Sequence, residues 1–265
     1  MTGGDRKDNM DIITSTSNAK IKNIIKCMKN AKERKKQDIF LVEGIRMFSE
    51  IPENLHVETF ATEKFYQQHA ELFHGKKYEL VSEHVMDVIA DTKTPQGVIS
   101  IVKRLHYTLE DVCAGKNPLV MALENIQDPG NLGTIVRTGE GAGVTGIILS
   151  RDTVDIYNMK VVRSTMGSIF RMPFFYVENL TQVMEQLNKE GYQTYSAHLQ
   201  GKNFYDYDYR KPTIFCIGNE GNGLSKQLCE VTKSKIWIPM LGKVESLNAA
   251  TAATVLMYEA MRQRR

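Results

Sequence analysis

The chain has 265 residues, of which 42% are hydrophobic and 25% are charged, and its formal net charge is +3. Such a chain can bury one large core or two modest ones, and no stretch approaches the ~18 apolar residues that a membrane-spanning helix needs. The N-terminal segment reads MTGGDRKDNMD and lacks the apolar core of a secretion signal. We therefore expect neither membrane insertion nor secretion.

The cysteines are scattered along the chain and form no CxxC pair. This spacing supports neither a disulfide framework nor a zinc site, and it fits a reducing compartment. We therefore expect a cytoplasmic protein that holds no metal. The cysteines are Cys27, Cys113, Cys216 and Cys229.

A basic segment occupies residues 20–36, where lysines and arginines face the single acid Glu33. Apolar residues recur over 21–28 at the spacing i, i+3, i+4 and i+7, which predicts one amphipathic helix over the segment, with a cationic outer face. The predicted cap of this helix is Ser17 or Asn18.

The cationic face could neutralise several phosphates and so supply salt-dependent affinity for a nucleic acid. A lysine-rich face that is merely solvated would give the same pattern, and the sequence alone leaves both readings open. The candidate RNA-binding residues on this face are Lys22, Lys26 and Lys29.

Strand and helix patterns alternate after the basic segment, which predicts a small α/β unit over residues 10–104. A polar stretch with the turn signal GKNP follows, and it predicts a linker over 105–117. The strand patterns of the first unit lie at 38–44, 57–62, 77–82 and 97–103.

The remaining residues, 118–265, predict a second unit. Near-continuous apolar strands alternate with helices, which is typical of a parallel sheet covered on both faces. One helix is predicted from Asn131 to Glu140, another over 159–169, and the last over 248–264. The predicted strands read LVMALEN, GIILS, FFYV, QTYSAHL, TIFCIG and KIWIPM.

Gly141, Gly143 and Gly146 spell GxGxxG, but they follow a predicted helix and precede a predicted strand. A dinucleotide-binding loop needs the opposite order, strand before helix, so we interpret these glycines as a helix stop and a turn. No P-loop sequence is present either.

Three polar, glycine-containing loops of the second unit follow apolar strand patterns and lead into helical ones. This context places their side chains at the carboxyl edge of a parallel sheet, where ligands bind in α/β folds. We therefore predict an active site there. The loops read ENIQDPGNLGTIVRTGEGAG, IGNEGNGLS and IPMLGKVESLNAATAATVLMYE.

In this order, the three loops resemble the signature motifs of the SpoU/TrmH family of RNA ribose 2′-O-methyltransferases, in the SPOUT superfamily. The resemblance covers residues 119–264 and implies S-adenosylmethionine as the cofactor, a homodimer, and a deep trefoil knot in the C-terminal α/β domain. The order of the first unit, with its VEG and TPQG turns, resembles the ribosomal-protein-like domain that binds substrate in many members.

The large first unit makes the chain more similar to the members that act on rRNA, so the resemblance implies methylation of a ribose 2′-hydroxyl in RNA, with 23S rRNA as the expected target. Two alternatives are a tRNA ribose 2′-O-methyltransferase and a catalytically silent RNA-binding or ribosome-assembly protein. A catalytically silent RNA-binding protein has no need of the polar motif residues that this sequence retains.

The resemblance implies that Asn131 and Arg137 are a catalytic pair. Arginine is effectively always protonated and is therefore a poor proton acceptor. We expect Arg137 to bind an RNA phosphate and orient the ribose, while a phosphate or water receives the proton. An exposed helix arginine and a helix-capping asparagine are the simpler interpretation of the same residues.

Glu220 is the expected polar contact of the second loop, where it could orient Asn131, accept a backbone amide or offset the charge of a sulfonium. By resemblance, Ser246 and Asn248 face the methyl group and the ribose, and Asn248 is also a candidate cap for the final helix. The remaining candidates given by the resemblance are Gly218, Ile238 and Leu247, which hold the adenine by their backbone atoms, and Arg163, near the RNA or dimer surface.

Gly139 stands where the first motif of the family commonly has alanine. Glycine within a helix costs about 1 kcal/mol relative to alanine. We expect this departure to lower local helix stability more than activity.

Overall fold

The computed structural model describes residues 11–265, which form two compact units that divide between Arg104 and Leu105. Residues 1–10 lie outside the described residues, and they include most of the N-terminal segment that lacks the pattern of a secretion signal, as well as residue 10, the predicted start of the first domain. Among residues 11–265, no helix combines the length and the apolar character that spanning a bilayer requires.

The first unit is a four-stranded sheet with helices, as the alternating pattern predicted. The strands are β1 (Ile39–Glu43), β2 (His56–Thr62), β3 (Tyr78–Val81) and β4 (Val98–Lys103), and the helices are α1 (Ala19–Lys29), α2 (Ala31–Gln37), α3 (Ile45–Ser49), α4 (Glu63–Gln68) and α5 (Glu83–Ile89). The order of the strands in the sheet is β1-β4-β2-β3, in which β4 is antiparallel to both neighbours and β2 is parallel to β3.

The basic segment is two helices, so the prediction of one continuous helix is wrong. Asn18 caps α1 by accepting from the amide of Lys20 at 2.8 Å, in agreement with the predicted cap. Asn30 then adopts an extended conformation, φ −134° and ψ 109°, and its side chain caps α2. The buried Arg34 donates to the carbonyl of Cys27 at 2.7 Å and so fastens α2 to the end of α1.

The lysines of α1 differ in their surroundings. Lys22 and Lys29 are exposed, as is Lys26, whose Nζ lies 3.0 Å from Glu33. Lys20 instead forms ion pairs within the unit, donating to Glu58 at 2.8 Å, and this hydrogen bond raises the pKa of Lys20. Lys20 is therefore engaged in ion pairs within the first unit, whereas the other three lysines face solvent.

The second unit is built on a six-stranded sheet in which every neighbouring pair is parallel, which confirms the predicted parallel sheet. The strands are β5 (Leu119–Leu123), β6 (Gly146–Ser150), β7 (Phe174–Val177), β8 (Gln193–Asn203), β9 (Thr213–Ile217) and β10 (Ser234–Trp237). Their order in the sheet is β10-β8-β9-β5-β6-β7. The helices are α6 (Leu109–Val112), α7 (Pro129–Gly141), α8 (Met159–Thr165), α9 (Leu180–Lys189), α10 (Lys226–Val231) and α11 (Ala249–Arg264).

The segment 105–117, which the sequence suggests as a linker, packs within the second unit. It forms α6, and Val112 is fully buried in the core cluster. At its start, the Tyr157 hydroxyl bonds both the amide and the carbonyl of Leu105, each at 2.8 Å.

The helix of the first loop begins earlier than the sequence pattern indicated. Asp128 is the cap of α7 and accepts from the amide of Asn131 at 2.8 Å, so Asn131 lies in the first turn and is not itself the cap. At the other end, Gly143 adopts the left-handed conformation with φ +75° before β6 begins at Gly146. The glycines of the GxGxxG pattern thus end a helix, as predicted. The helix predicted over 159–169 is shorter, because α8 ends at Thr165 and a left-handed residue follows.

Candidate active site

Side chains from all three polar loops form one hydrogen-bonded chain beyond the carboxyl ends of the parallel strands. Asn131 Nδ2 donates to Glu220 Oε1 at 2.9 Å, and Asn131 Oδ1 accepts from Asn248 Nδ2 at 3.0 Å. These contacts use both ends of the Asn131 amide, and they therefore fix its orientation. The structure thus brings together one candidate residue from each loop.

Asn248 has a second task at the start of the last helix. Its Oδ1 accepts from the amides of Ala250 at 2.9 Å and Thr251 at 3.2 Å, which makes it the cap of α11. Because the oxygen is occupied by the helix, the amide nitrogen is left to donate to Asn131. Helix capping and the link to Asn131 coexist in one side chain.

The Glu220 carboxylate is held by donors from the first loop. Besides Asn131, it accepts from the amides of Gln127 at 3.2 Å and Asp128 at 3.1 Å. Partial burial by itself would raise the pKa of Glu220, but the hydrogen bonds from Asn131 and the backbone amides outweigh it and lower that pKa. Of the three roles left open for this residue, the contacts are those of a carboxylate that orients Asn131 and accepts backbone amides.

Arg137 lies on α7 six residues beyond Asn131, a rise of about 9 Å along the helix. Its side chain is exposed and forms no hydrogen bond or ion pair with any other described residue. Helix α7 itself is held closely against α8, since a Cβ on Gly133 would lie 2.4 Å from the Ser164 Cβ. A fixed helix therefore presents a guanidinium that is available to an external anion.

A cavity of about 450 Å³ lies beside this hydrogen-bonded chain. Five of the predicted residues line it: Gly218, Glu220, Ile238, Ser246 and Leu247. The lining does not include Asn131, Arg137 or Asn248. Asn131 is nevertheless hydrogen-bonded to Glu220, which lines the cavity, and Asn248 is bonded to Asn131. All three candidate cofactor residues thus share one cavity.

Gly218 has a strict steric role in that cavity. A Cβ at this position would lie 2.2 Å from the carbonyl carbon of Gly223 and 2.3 Å from the amide nitrogen of Leu224. These are backbone atoms, which cannot move aside as a flexible side chain can. Glycine is therefore needed at position 218 for the second loop to fold back on the end of β9.

One wall of the cavity was missed by the sequence analysis. It consists of residues 197–200 and Trp237, and it arises because β8 is irregular where it pairs with β10. Lys235 pairs with Ser196, but the next residue pairs with Lys202, so the intervening residues bulge toward the cavity. The available signal was Gly201, which lies beyond the predicted strand QTYSAHL but within the observed β8, since a glycine in a strand often marks a bulge.

The other candidates lie away from the cavity. Arg163 is half-buried on α8, and Lys22, Lys26 and Lys29 lie on α1 of the first unit. Among residues 11–265, no cluster of histidine, cysteine, aspartate and glutamate side chains could hold a metal ion.

Two family profiles match the chain. That of the SpoU rRNA Methylase family matches residues 118–258, and that of the MRM3-like substrate binding domain matches residues 18–100. The matched segments fall in the second and first structural units, respectively.

Three proteins illustrate the similarity. The 23S rRNA (guanosine(2553)-2′-O)-methyltransferase RlmP of Bacillus subtilis is 32% identical over 251 residues, which cover 94% of this chain and 98% of that protein. The SpoU methyltransferase AviRb from Streptomyces viridochromogenes, in complex with the cofactor AdoMet (S-adenosylmethionine), superposes with a TM-score of 0.84 at 27% identity, covering 93% of this chain and 98% of that one. The AdoMet-bound rRNA methyltransferase from Sinorhizobium meliloti has a TM-score of 0.84 at 30% identity, covering 96% and 98%.

Proposed function

Because the chain belongs to the SpoU rRNA methylase family, we propose that it transfers a methyl group from S-adenosylmethionine to a ribose 2′-hydroxyl of 23S rRNA. The observation that carries this proposal is the chain of hydrogen bonds from Glu220 through Asn131 to Asn248, beside a cavity of about 450 Å³. A protein that only binds RNA has no need of such an arrangement, which disfavours the catalytically silent alternative.

The cavity fits the cofactor in size and in the character of its lining. Ligand sites commonly have volumes of about 300–1,000 Å³ and are largely apolar with a few placed polar groups. Gly218 lets the second loop approach closely, and we assign Gly218, Ile238 and Leu247 to the adenine through their backbone groups. When bound, S-adenosylmethionine supplies a methyl group on a positively charged sulfur.

The chain's own residues orient the acceptor and manage its proton. Displacement at the methyl carbon requires the ribose oxygen to be held in line, so positioning contributes much of the rate. We assign Arg137 to an RNA phosphate next to the target ribose and Asn131 to the ribose itself, with a phosphate or water taking the proton. Ser246 and Asn248 face the reacting groups, and Glu220 keeps Asn131 oriented.

The proposed target rests on how far the similarity extends. The B. subtilis relative acts on 23S rRNA by its name, and its match covers 94% of this chain, including the segment 18–100 that resembles a substrate-binding domain. A tRNA ribose 2′-O-methyltransferase is the second candidate. Comparison of ribose methylation in rRNA and tRNA from cells with and without the gene distinguishes them, since a methyl group lost from tRNA alone would refute the rRNA assignment.

We propose a division of labour between the domains predicted from the sequence, acting in the cytoplasm. Residues 10–104 bind RNA through Lys22, Lys26 and Lys29, residues 105–117 join the domains, and residues 118–265 perform the transfer. Arg163, on α8 beside α7, is assigned to the RNA surface of the second domain.

A homodimer and a trefoil knot complete the proposal. The exposed Tyr258 of α11 lies near Gly141 of α7, which gives the two helices a joint surface for a second copy.

The proposed knot concerns the course of the last helix. From its cap at Asn248, α11 returns to the amino ends of the strands, where Arg264 donates to the carbonyls of Asn117 at 2.6 Å and Lys211 at 2.8 Å. This course is compatible with a C-terminal segment threaded through a preceding loop.

Sedimentation tests the dimer. At micromolar concentration we expect about twice the 30.1 kDa mass of the chain. A monomer with full methyl-transfer activity would contradict it.

A further inference from the structure

The second loop closes on itself through one side chain. Asn219 Oδ1 accepts from the amides of Gly221 at 2.9 Å and Asn222 at 3.0 Å, and its backbone exchanges hydrogen bonds with Gly223 at 3.1 and 2.9 Å. Such a turn around an asparagine is a local structure that needs no help from the rest of the fold. It defines the shape of the loop that carries Glu220.

The other end of the same amide leaves the loop. Asn219 Nδ2 donates to the backbone carbonyl of Asn125 at 2.9 Å, across 94 residues of sequence. The turn is thereby tied to the first polar loop at a point just before Gln127, whose amide donates to Glu220. This contact is separate from the links that Glu220 makes itself.

The acceptor is itself held in place. Asn125 adopts the left-handed conformation with φ +56°, which is uncommon for a residue other than glycine but tolerated by asparagine. Its amide donates to Ser150 Oγ at 2.8 Å, and Ser150 Oγ donates to Asn125 Oδ1 at 3.0 Å. The carbonyl that receives Asn219 is therefore fixed to the end of β6.

We propose that Asn219 is a positioning residue that fixes the height of Glu220 above the sheet and so the orientation of Asn131. Through this bond, the loop that lines the cofactor cavity and the loop that leads to Asn131 and Arg137 behave as one rigid body. The assignment rests on the proposed function, because Glu220 and Asn131 are taken to serve methyl transfer.

The substitution Asn219→Asp isolates the bond. The carboxylate can still accept from Gly221 and Asn222, so the turn is retained, but it cannot donate to the Asn125 carbonyl and repels it. Gln227→Glu is the matched control, because Gln227 is exposed on α10 and makes the same amide-to-carboxylate change outside the cavity lining. Asn219→Ser, which is neutral, is too short to reach Asn125 and can still accept within the turn; it carries the test if the charged variant fails to fold.

The expected result is a fall of about tenfold or more in the single-turnover rate constant of Asn219→Asp at saturating RNA and cofactor, with less than about a twofold change in the control. Because Asn219 acts through Glu220, adding Asn219→Asp to Glu220→Gln should lower the rate by no more than about twofold further. Full additivity of the two substitutions, or a wild-type rate in Asn219→Asp, would overturn the proposal.

Amide hydrogen exchange separates failure of this inference from failure of the proposed function. In the wild type, the Gln127 and Asp128 amides donate to Glu220, so we expect these hydrogen bonds to slow their exchange. We expect Asn219→Asp to speed exchange in the segment containing them by about tenfold, and Gln227→Glu to leave it unchanged. Unchanged protection in Asn219→Asp and Asn219→Ser refutes the coupling, whereas altered protection in a protein that methylates no RNA upholds the coupling and refutes the function.

Discussion

The side-chain amide of Asn248 donates to Oδ1 of Asn131 at 3.0 Å, across 117 residues of sequence. Since Asn248 also caps α11, the orientation of a central side chain of the site depends on how the final helix begins. The last element of the chain is thus coupled to the first polar loop by one hydrogen bond, and the helix cap and the active site can be separated by mutation.

Replacement of Asn248 by aspartate or alanine tests this coupling. Asn248→Asp keeps an oxygen that caps α11 but loses the donor to Asn131, so we expect methyl transfer to fall at least about tenfold with little loss of stability. Asn248→Ala should lose activity and about 1 kcal/mol of stability as well. Chemical denaturation and single-turnover assays of both variants provide the comparison, and equal stability losses in the two would contradict the capping role.

Arg137→Ala should abolish methyl transfer while the affinity for S-adenosylmethionine changes by less than about tenfold, or ~1.4 kcal/mol. The reason is that Arg137 is exposed on α7 and absent from the cavity lining. Trp237 is the single tryptophan and lines that cavity, so its fluorescence reports cofactor binding directly.

Arg137→Lys is the matched variant, because lysine keeps the charge without the planar pair of donors. Its rate should remain well below that of the wild type if the phosphate is bound through two N–H groups. A parallel loss of cofactor affinity in Arg137→Ala would make this residue part of the cofactor site instead.

Acid should weaken the contribution of Glu220 to the stability of the folded protein. Its pKa is lowered in the folded protein by hydrogen bonds from Asn131 and backbone amides, against the opposing effect of burial. The stabilisation is therefore complete above the unfolded value of about 4.3 and is lost as the pH falls through the lower, folded value. In denaturant titrations, the stability difference between wild type and Glu220→Gln should shrink on acidification through this range; a difference that is constant with pH would contradict it.

Local signals in the sequence predicted the parts of the site that depend on local structure. An asparagine before a helical pattern is a candidate cap, and Asn248 is indeed the cap of α11, whereas Asp128 takes that place before Asn131. The same signals did not reveal the link between Asn131 and Glu220, because 89 residues separate them and only the sheet order brings their loops together. Placing each loop after a strand gave the correct edge of the sheet, but not the partners.

Other differences between the predicted and the observed structure also have specific causes. The run of basic residues continues from α1 into α2, so the charge pattern did not mark the break at Asn30, where an asparagine both ends one helix and caps the next. The sequence pattern indicates that Arg34 is a surface charge, but its side chain is buried. It donates to the backbone carbonyl groups of Cys27 and Met28, and a pattern of residue types does not reveal such backbone partners. The cavity wall from residues 197–200 depends on strand register, which the pattern also leaves undefined.

Replacing Lys22, Lys26 and Lys29 together should weaken RNA binding and reduce the slope of log affinity against log salt concentration. The reduction should correspond to the loss of up to about one phosphate contact per removed charge. The methylated nucleotide should stay the same, because such contacts hold the backbone without reading bases. Titrations over a range of salt concentrations, with circular dichroism to verify the helix, measure this.

The single substitutions give an internal control. Lys26 is paired with Glu33 at 3.0 Å, whereas no described residue bonds the Lys22 side chain. Lys22→Ala should therefore change the salt slope more than Lys26→Ala does. An unchanged slope in the triple variant would mean that this face is merely solvated.

Two glycines of α7 should respond in opposite directions to alanine. At Gly139, a Cβ would lie 3.4 Å from Met172, 3.5 Å from Val144 and 3.6 Å from Met257, which are ordinary contacts. Gly139→Ala should therefore stabilise the protein by up to about 1 kcal/mol, because alanine costs less backbone entropy in a helix. The corresponding rise in melting temperature is about 2–4 °C for a domain of this size.

Gly133→Ala, six residues earlier on the same helix, is the matched control. Its Cβ would lie 2.4 Å from Ser164 Cβ and 2.8 Å from the Val161 carbonyl oxygen, so α7 and α8 must separate to admit it. Overpacking of this kind costs about 1–3 kcal/mol and should outweigh the gain in helix propensity. Because α7 carries Arg137, Gly133→Ala should also lower methyl transfer, while Gly139→Ala should not. Thermal melts and rate measurements on the pair decide the matter: a destabilised Gly139→Ala would mean that the family's usual alanine does not fit this core.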